Sequence, residues 1–419
     1  MAVTQKTDGN RIRVGVVGVG RGMSFANGAP FVGMELVALC DTWEAKLHEA
    51  GKKLDVTTYT DYEQFLSHDM DAVVLANYFH QHAPFAVKAL ETGLNVMTET
   101  MACGTPAEGV ALARAVDKSG KIFLFAENYP YFAYNQEMRR LYQNNEVGEL
   151  QYAEGEYNHP FDSQGYNRLS PGLNHWRNWI PSTYYCSHAL APIMFITDTH
   201  PVNVNALSIP RSESDTEKLS VQRGDPGGII LCRMDNGSVV RIMGLKMRGH
   251  GVWYRIHGTR GLMENLRSGT PGSLRVQHEP WDLREGDEGE KIYVPDFSHH
   301  AEEARQAGHG GGDFFTNYHF AEAIRKNETP YFDVYRGLEM AMVGIQAWRS
   351  CLGNGTPFEI PDFRRESVRK AYENDNWSPW PEHEGPGQPP PSINGFNPPS
   401  EDAIAYAREV WDEMGYEGE

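Results

Sequence analysis

A valine-rich run that closes on glycines, RIRVGVVGVG from Arg11 to Gly20, limits what this chain can build more than any other stretch. It is apolar on both sides, so as a strand it must be covered on both faces. That belongs to a parallel sheet layered with helices. MELVALCD (34–41), DAVVLAN (71–77), NVMTE (95–99) and KIFLFAEN (121–128) read the same way. Helical patterns lie between them. HAPFAVKALETG has apolar residues at helical spacing before a glycine, and TPAEGVALARAVDKSG starts on Thr-Pro and stops at Gly120. The alternation predicts an α/β Rossmann unit, a doubly wound parallel sheet.

The loop GVGRG (18–22) sits between the first strand and a helix, the context in which a glycine fingerprint carries meaning. Gly18 permits a tight turn. Gly20 lets backbone amides approach a pyrophosphate, which the helix N-terminus then stabilises. Gly22 stands one residue early, and Met23 occupies the third fingerprint position. Asp41 ends the second strand, where a carboxylate would hold an adenosine ribose diol and repel a 2′-phosphate. The expected cofactor is therefore NAD rather than NADP. The cofactor-binding set is Gly18, Gly20, Arg21, Gly22, Met23 and Asp41, with Asn77, His82, Glu99 and Asn128 from stretches that follow later strands.

After about residue 148 the pattern changes. Segments near 150–158, 201–208, 228–235, 238–247, 252–258 and 262–266 read as longer strands, and Met234–Val240 carries an Asn-Gly hairpin signal. They predict a C-terminal α+β domain with a large, mostly antiparallel sheet. DFFTNYHFAEAIRKN and YRGLEMAMVGIQAWRSCLGNG read as late helices, the second packing back on the first domain or on the sheet. Residues 376–400 are proline-rich and read as an extended arm, not a core element, and SEDAIAYAREVWDEMGY reads as a helix after it. The expected domains are 1–128 for NAD, 129–370 for substrate and oligomerisation, and 371–419 for the arm and its helix.

A chain of 419 residues divides naturally into two main domains. It has 56 acidic residues against 38 basic ones, a net charge of −18, which argues against nucleic acid or an anionic membrane as partner. A local basic pocket for a small anionic substrate is compatible with that charge. The five cysteines are scattered without a C-x-x-C pair, so neither a disulfide framework nor structural zinc is expected, and no metal-ligand spacing stands out. The polar opening MAVTQKTDGN has no signal-peptide core, and no apolar run reaches membrane-spanning length. A cytoplasmic protein is expected.

The layout, with ALCD, HAPFAVKALETGLNVMTE and YRIHGTRGLMEN, resembles the Gfo/Idh/MocA family of sugar oxidoreductases over roughly residues 11–363. The resemblance implies a nicotinamide cofactor at the mouth of the first sheet and a substrate covered by the second. It also implies a homo-oligomer, dimer or tetramer, formed through the open face of that second sheet. A typical member has Glu-Lys-Pro after the fourth strand. This chain has Glu99-Thr100-Met101, and Thr100 cannot serve as a cationic proton donor. A typical member also has Asp-x-x-x-His before a helix of the second domain. STYYCSHALAP keeps His188 there but sets Tyr184 at the aspartate. YCSHALAP, ENYPYFAYNQEMRRLY and GHGGGDFF are similar to a branch of NAD-dependent glycoside hydrolases, α-N-acetylgalactosaminidase-like or sulfoquinovosidase-like. That branch implies cleavage by transient oxidation at the sugar 3-position, elimination, water addition and hydride return. A sugar or glycoside dehydrogenase and a non-catalytic sensor of NAD or sugar are the alternatives.

HWRNWIPSTYYCSHALAP (175–192) gathers side chains that such chemistry needs. His188, Tyr184 and Tyr185 offer imidazole and phenol groups, the two tyrosines being equal candidates, and Glu156 and His159 from EGEYNHP are further catalytic candidates. Trp176 and Trp179 suit stacking on a sugar ring, with core packing an equal reading for Trp179, and Arg177 suits hydroxyls or an anion. Lys246, Arg248 and His250 alternate in KMRGHGVWYR. On a strand they would share one face, either an exposed polar face or a pocket for a substrate anion. His309 and Asp313 in GHGGGDFF either reach the sugar or cap their helix and its turn. The expected substrate is a small glycoside, an anionic one among the options.

Overall fold

The computed structural model describes residues 11–416 and 418, apart from 213–217, 287 and 384. The polar opening, residues 1–10, lies outside them. Six strands form the first sheet: β1 (Ile12–Val17), β2 (Met34–Cys40), β3 (Thr57–Tyr59), β4 (Ala72–Leu75), β5 (Asn95–Thr98) and β6 (Phe123–Phe125). Every pair is parallel, in the order β3-β2-β1-β4-β5-β6, so the strand order reverses between β1 and β4. That is the Rossmann order, with a crevice at the reversal. The edge strand β3 is three residues long and half exposed, too little for a buried-strand pattern to show in sequence. Helix Pro106–Ser119 opens on a capping box between Thr105 and Glu108 and stops at Gly120, φ 62°.

Nine strands form the second sheet: β7 (Leu150–Asn158), β8 (Pro201–Ile209), β9 (Gly227–Met234), β10 (Val239–Leu245), β11 (Gly251–Gly258), β12 (Leu262–Asn265), β13 (Leu274–Gln277), β14 (Glu290–Tyr293) and β15 (Phe358–Glu359). Their order is β14-β13-β12-β11-β7-β10-β9-β8-β15. The central β7–β10 pair is parallel and its neighbours are antiparallel. The Asn236-Gly237 turn, with Gly237 at φ 84°, joins β9 to β10. The short strands β13, β14 and β15 extend the sheet beyond what the sequence pattern marks.

Helix Ser187–Thr197 is buried along its whole length against the inner face of the second sheet. Its approach to β7 needs Gly155, where a Cβ would stand 2.1 Å from the Ala189 carbonyl oxygen. Helix Val334–Leu352 packs on β8, on β6 and on helix Pro106–Ser119, so it binds both sheets together. Among the described residues no helix is long and apolar enough to cross a membrane.

The proline-rich arm departs from the sequence reading. Trp380 is fully buried, its ring 5.1 Å from His80, 6.1 Å from Tyr184 and 6.3 Å from Phe79. The Pro390 carbonyl accepts from Trp348 Nε1 (2.9 Å), and Ser392 Oγ donates to Asp225 (2.6 Å). The prolines keep this backbone extended, but its tryptophans carry enough apolar area to draw it onto the core. Helix Glu401–Glu413 follows, capped by Ser400, and Trp411 Nε1 donates to the Asn167 carbonyl (2.9 Å) on helix Ser163–Leu169. Replacing Trp380 with alanine should lower stability by about 3–5 kcal/mol, read as a drop in denaturant midpoint at unchanged slope. A loss under about 1 kcal/mol would mark the arm as peripheral.

Candidate active site

The carboxyl ends of the parallel strands meet along one edge, and the glycine loop lies there. Gly18 has φ 99°, and a Cβ on it would stand 2.4 Å from the Ala76 carbonyl oxygen, so glycine alone lets the loop press on the end of β4. Gly20 faces open space. Gly22 opens the helix Gly22–Gly28, and Met23 is half-buried in its first turn. Asp41 Oδ2 accepts from Val19 N (2.7 Å) and Oδ1 from Trp43 N (2.8 Å), which ties the acid to the glycine loop. Both amide atoms of Asn77 and the amide oxygen of Asn128 are buried without a protein partner. An open glycine turn, an acid at the end of β2 and unpaired amides along the same edge fit a dinucleotide. His82 plays another part. Its ring nitrogens lie 2.9 Å from the Met101 carbonyl and 3.3 Å from that of Asn77, and burial lowers its pKa, so it props the backbone under this edge.

Arg21 is engaged by protein. Its Nε lies 2.7 Å from Glu99, and its two terminal nitrogens grip Asp313 at 2.6 and 2.8 Å. Asp313, in helix Gly312–Lys326, is 2% exposed and also accepts from Ser24 Oγ, Asn128 Nδ2 (2.9 Å) and His309 Nδ1 (2.9 Å). Burial would raise its pKa, but the His309 and Arg21 hydrogen bonds outweigh it and hold the carboxyl well below the usual range. Burial works against the Arg21 charge too, and Glu99 and Asp313 together raise its pKa above the ordinary value. Of the two readings of His309 and Asp313, contact with a sugar or a local structural role, these contacts supply a structural one. Arg21 offers the buried carboxylate a bidentate partner, and the pair fastens the glycine loop to the second domain.

The aromatic stretch 175–192 brings His188 into a buried network. His188 Nδ1 lies 2.6 Å from Glu127 Oε1, and its Nε2 lies 3.2 Å from the Tyr185 hydroxyl. Glu127 follows β6 and is fully buried, its second oxygen unpartnered. A carboxylate there accepts from Nδ1–H, which leaves Nε2 as acceptor for the Tyr185 hydroxyl, the tautomer following from the network. The rings of Tyr129 (4.4 Å) and Tyr157 (4.8 Å, edge-on) wall the imidazole. Burial raises the Tyr185 pKa, and the Arg177 guanidinium, 5.5 Å over its ring, opposes that rise. Glu127 is the residue that sequence reasoning missed. Its signal was a lone carboxylate closing an apolar strand at the carboxyl edge of a parallel sheet.

The other candidates divide. Tyr184 is buried with its hydroxyl unpartnered against Trp380, so Tyr185 is the one of the pair that meets His188. Glu156 is corrected. Side chains alternate along β7, so Tyr157 facing His188 puts Glu156 on the far face, where Arg267 binds it at 2.6 Å. His159 stays near, its ring 5.9 Å from Tyr157, and burial lowers its pKa. Trp176 is stacked on Phe79 (4.6 Å, 11°) with Arg177 4.2 Å over it, a wall more than a platform. Trp179 lies apart. It donates to the Leu173 carbonyl (3.1 Å) and lines a cavity of about 470 Å³ with Pro381, Gln388 and Phe396 of the arm. Lys246, Arg248 and His250 do not share a strand face, because β10 stops at Leu245 and Gly249 turns at φ 98° before β11. They lie in the connecting loop, Arg248 and His250 exposed and Lys246 half-buried.

A segment from far along the chain closes the Asp41 end. Tyr416 meets Trp43 edge-on at 5.3 Å and shares a hydroxyl hydrogen bond with Tyr78. Its amide donates to the Trp411 carbonyl (3.0 Å). Among the described residues no three His, Cys, Asp or Glu side chains are grouped to hold a metal ion.

Known proteins share this architecture. Residues 12–127 match the Gfo/Idh/MocA oxidoreductase family, NAD-binding Rossmann fold, and residues 209–370 match the C-terminal domain of glycosyl hydrolase 109. A glycosyl hydrolase family 109 protein of Solibacter usitatus (strain Ellin6076) is 26% identical over 394 residues, 84% of this chain and 88% of that one. Glycosyl hydrolase family 109 protein 1 of Shewanella sp. (strain ANA-3) is 25% identical over 401 residues, 86% of each chain. The solved structure of levoglucosan dehydrogenase, in complex with NADH and L-sorbose, aligns with a TM-score of 0.72 at 16% identity, covering 85% of this chain and 100% of its own. The first domain is an NAD-binding domain.

Asp313→Asn should cost about 3 kcal/mol at neutral pH, because Arg21 keeps Glu99 but loses its bidentate partner, and Ser24, Asn128 and His309 lose the carboxylate they share. The folded carboxyl titrates below the 3.8 of an unperturbed aspartate, so its contribution is complete above that value and declines as pH falls from there toward the lower folded value. Urea melts from pH 7 to pH 3 should therefore bring the two proteins closer together as pH falls. Parallel curves would exclude the linkage.

Proposed function

This chain joins a Gfo/Idh/MocA NAD-binding domain to a glycosyl hydrolase 109 C-terminal domain, and we propose that it is an NAD-dependent glycosidase acting on a small glycoside. The observation that carries the reading is the chain of contacts Glu127–His188–Tyr185, set at the carboxyl edge of the NAD-binding sheet. Gly18, Gly20, Asp41, Asn77 and Asn128 would hold the cofactor. Bound NAD supplies a reversible two-electron oxidation at the sugar 3-position, which acidifies the proton on carbon 2, permits elimination of the aglycone, and is undone after water adds, so the net reaction is hydrolysis. The residues then have to move protons. The Tyr185 hydroxyl takes a proton from the sugar as it passes its own to His188 Nε2. Glu127 keeps the imidazole in the accepting tautomer and stabilises the imidazolium that results. Neither a lysine at position 100 nor a pair of carboxylates astride the scissile bond is needed.

The same reading takes the protein to be a cytoplasmic homo-oligomer. Five buried, unpaired cysteines support a reducing compartment. Leu207 and Ile229 are paired across β8 and β9, with Leu231 beside them, and all three are exposed on the outer face of the second sheet. Such a row suits burial by a second copy.

Chromogenic glycosides incubated with and without added NAD⁺ test the activity. Aglycone release that depends on NAD⁺, with no net NADH, is the expected result. Steady NADH without release would make the protein a dehydrogenase, and no turnover with intact ligand binding would make it a sensor. Glu127→Gln should lower kcat by about 10²–10⁴ while NAD binding, read by quenching of tryptophan fluorescence, is kept.

A further inference from the structure

Arg177 borders Tyr185 and favours its ionised form. His159 and Lys246 lie within electrostatic reach of Arg177, His250 meets His159, and these three basic side chains take no part in the chemistry above. Asn158, at the end of β7, holds the loop between β10 and β11. Its amide oxygen accepts from Met247 N (3.1 Å), and its amide nitrogen donates to the Gly249 carbonyl. That staple holds the loop carrying Lys246 at the end of β7 and sets His250 next to His159, the residue after Asn158. The His159 and His250 rings meet edge to face at 4.8 Å. His159 leads back to the reactive group through Tyr157, which touches both it and His188. Arg177 approaches from the other side, over Trp176 and Tyr185.

Among the described residues none of these four has a carboxylate as ion-pair partner. Lys246 Nζ has a neutral partner, Gln222 Oε1 at 3.4 Å. Burial, with Arg177 and Arg211 close by, brings its pKa down to about 7 against the opposing pull of Asp225, whose oxygens are themselves taken by Ser208 and Ser392. Arginines on the far face of the same sheet are treated otherwise: Arg267 is paired with Glu156, Arg241 with Glu154, and Arg275 with Glu264 and Glu290. The chain carries 18 more acidic than basic residues, so acids to neutralise this rim are not scarce. Like charges gathered with no carboxylate in ion-pair contact repel one another, and an arriving anion relieves that cost.

We infer that this rim binds a fixed anionic group of the glycoside, a carboxylate, sulfonate or sulfate ester, through Arg177 and Lys246 with His159 and His250 at its edge. The inference rests on the glycosidase reading and names the substrate class for that same site. A guanidinium supplies two parallel donors to such a group, and the half-buried ammonium supplies charge that water screens poorly.

The test uses the full-length protein loaded with NAD and a matched chromogenic series: a neutral hexoside, its uronide, its 6-sulfonate and its 6-sulfate. One acidic member should exceed the neutral parent in kcat/KM by about tenfold or more, and which one does so identifies the anion. Lys246→Met and Arg177→Met should each collapse the acid-to-neutral ratio, which is read instead of the absolute rate. NAD-dependent cleavage with no acidic preference would overturn this inference and leave the glycosidase reading standing. Binding is measured apart from turnover, by the shift in Tm with sodium glucuronate or sodium sulfate against glucose at matched ionic strength. Stabilisation by an anion in the parent protein, lost in Lys246→Met, supports the rim even if no glycoside in the series is cleaved. Equal shifts in parent and variant would overturn it.

Discussion

Asp313 is a carboxylate on which donors from three parts of the chain converge. Arg21 and Ser24 come from the glycine loop and its helix, Asn128 from the end of the parallel sheet, and His309 from the turn before the aspartate's own helix. Leaving such a group buried and unmatched costs several kcal/mol, roughly, so the structure must satisfy it. It is satisfied when the second domain stands against the glycine loop in one orientation. The distance from the cofactor edge to His188 depends on that orientation. A bidentate guanidinium is well suited to the task, because its planar fork restrains angle as well as separation.

Glu127 and Asn128 are neighbours in sequence with different partners. The amide of Asn128 belongs to the Asp313 set, and the carboxylate of Glu127 belongs to His188. One short stretch of backbone after β6 thus serves both the dinucleotide edge and the Glu127–His188 contact. A displacement that loosens the domain contact therefore also disturbs His188. The second sheet completes the arrangement from the other side, since Tyr157 on β7 walls His188 and the Tyr254 hydroxyl on β11 donates to the His188 carbonyl (2.6 Å).

The parallel sheet was legible because each main strand is a short apolar run between capped helices, and Asp41 because it closes one of them. YCSHALAP singled out His188, which the fold sets between Glu127 and Tyr185. What stayed hidden was set by contacts distant in sequence. Tyr184 and Tyr185 are adjacent, and which one turns toward His188 is decided by packing on Trp380, which lies in an arm whose composition reads as solvent-exposed. Glu127 meets its partner 61 residues away. Glu156 looked catalytic by its nearness to His159, yet strand alternation sends it to the opposite face. Lys246, Arg248 and His250 seemed to alternate on one strand, and Gly249 breaks that strand between them.

The contact between Trp43 and Tyr416 joins opposite ends of the described chain. Contacts of that span form late, because the loop they close is long and synthesis proceeds from the other end. Asp41 and Trp43 leave the ribosome far ahead of Tyr416, which meets Trp43 and Tyr78. The contact that completes the Asp41 end is therefore fixed as a late one by the order in which the polypeptide is made.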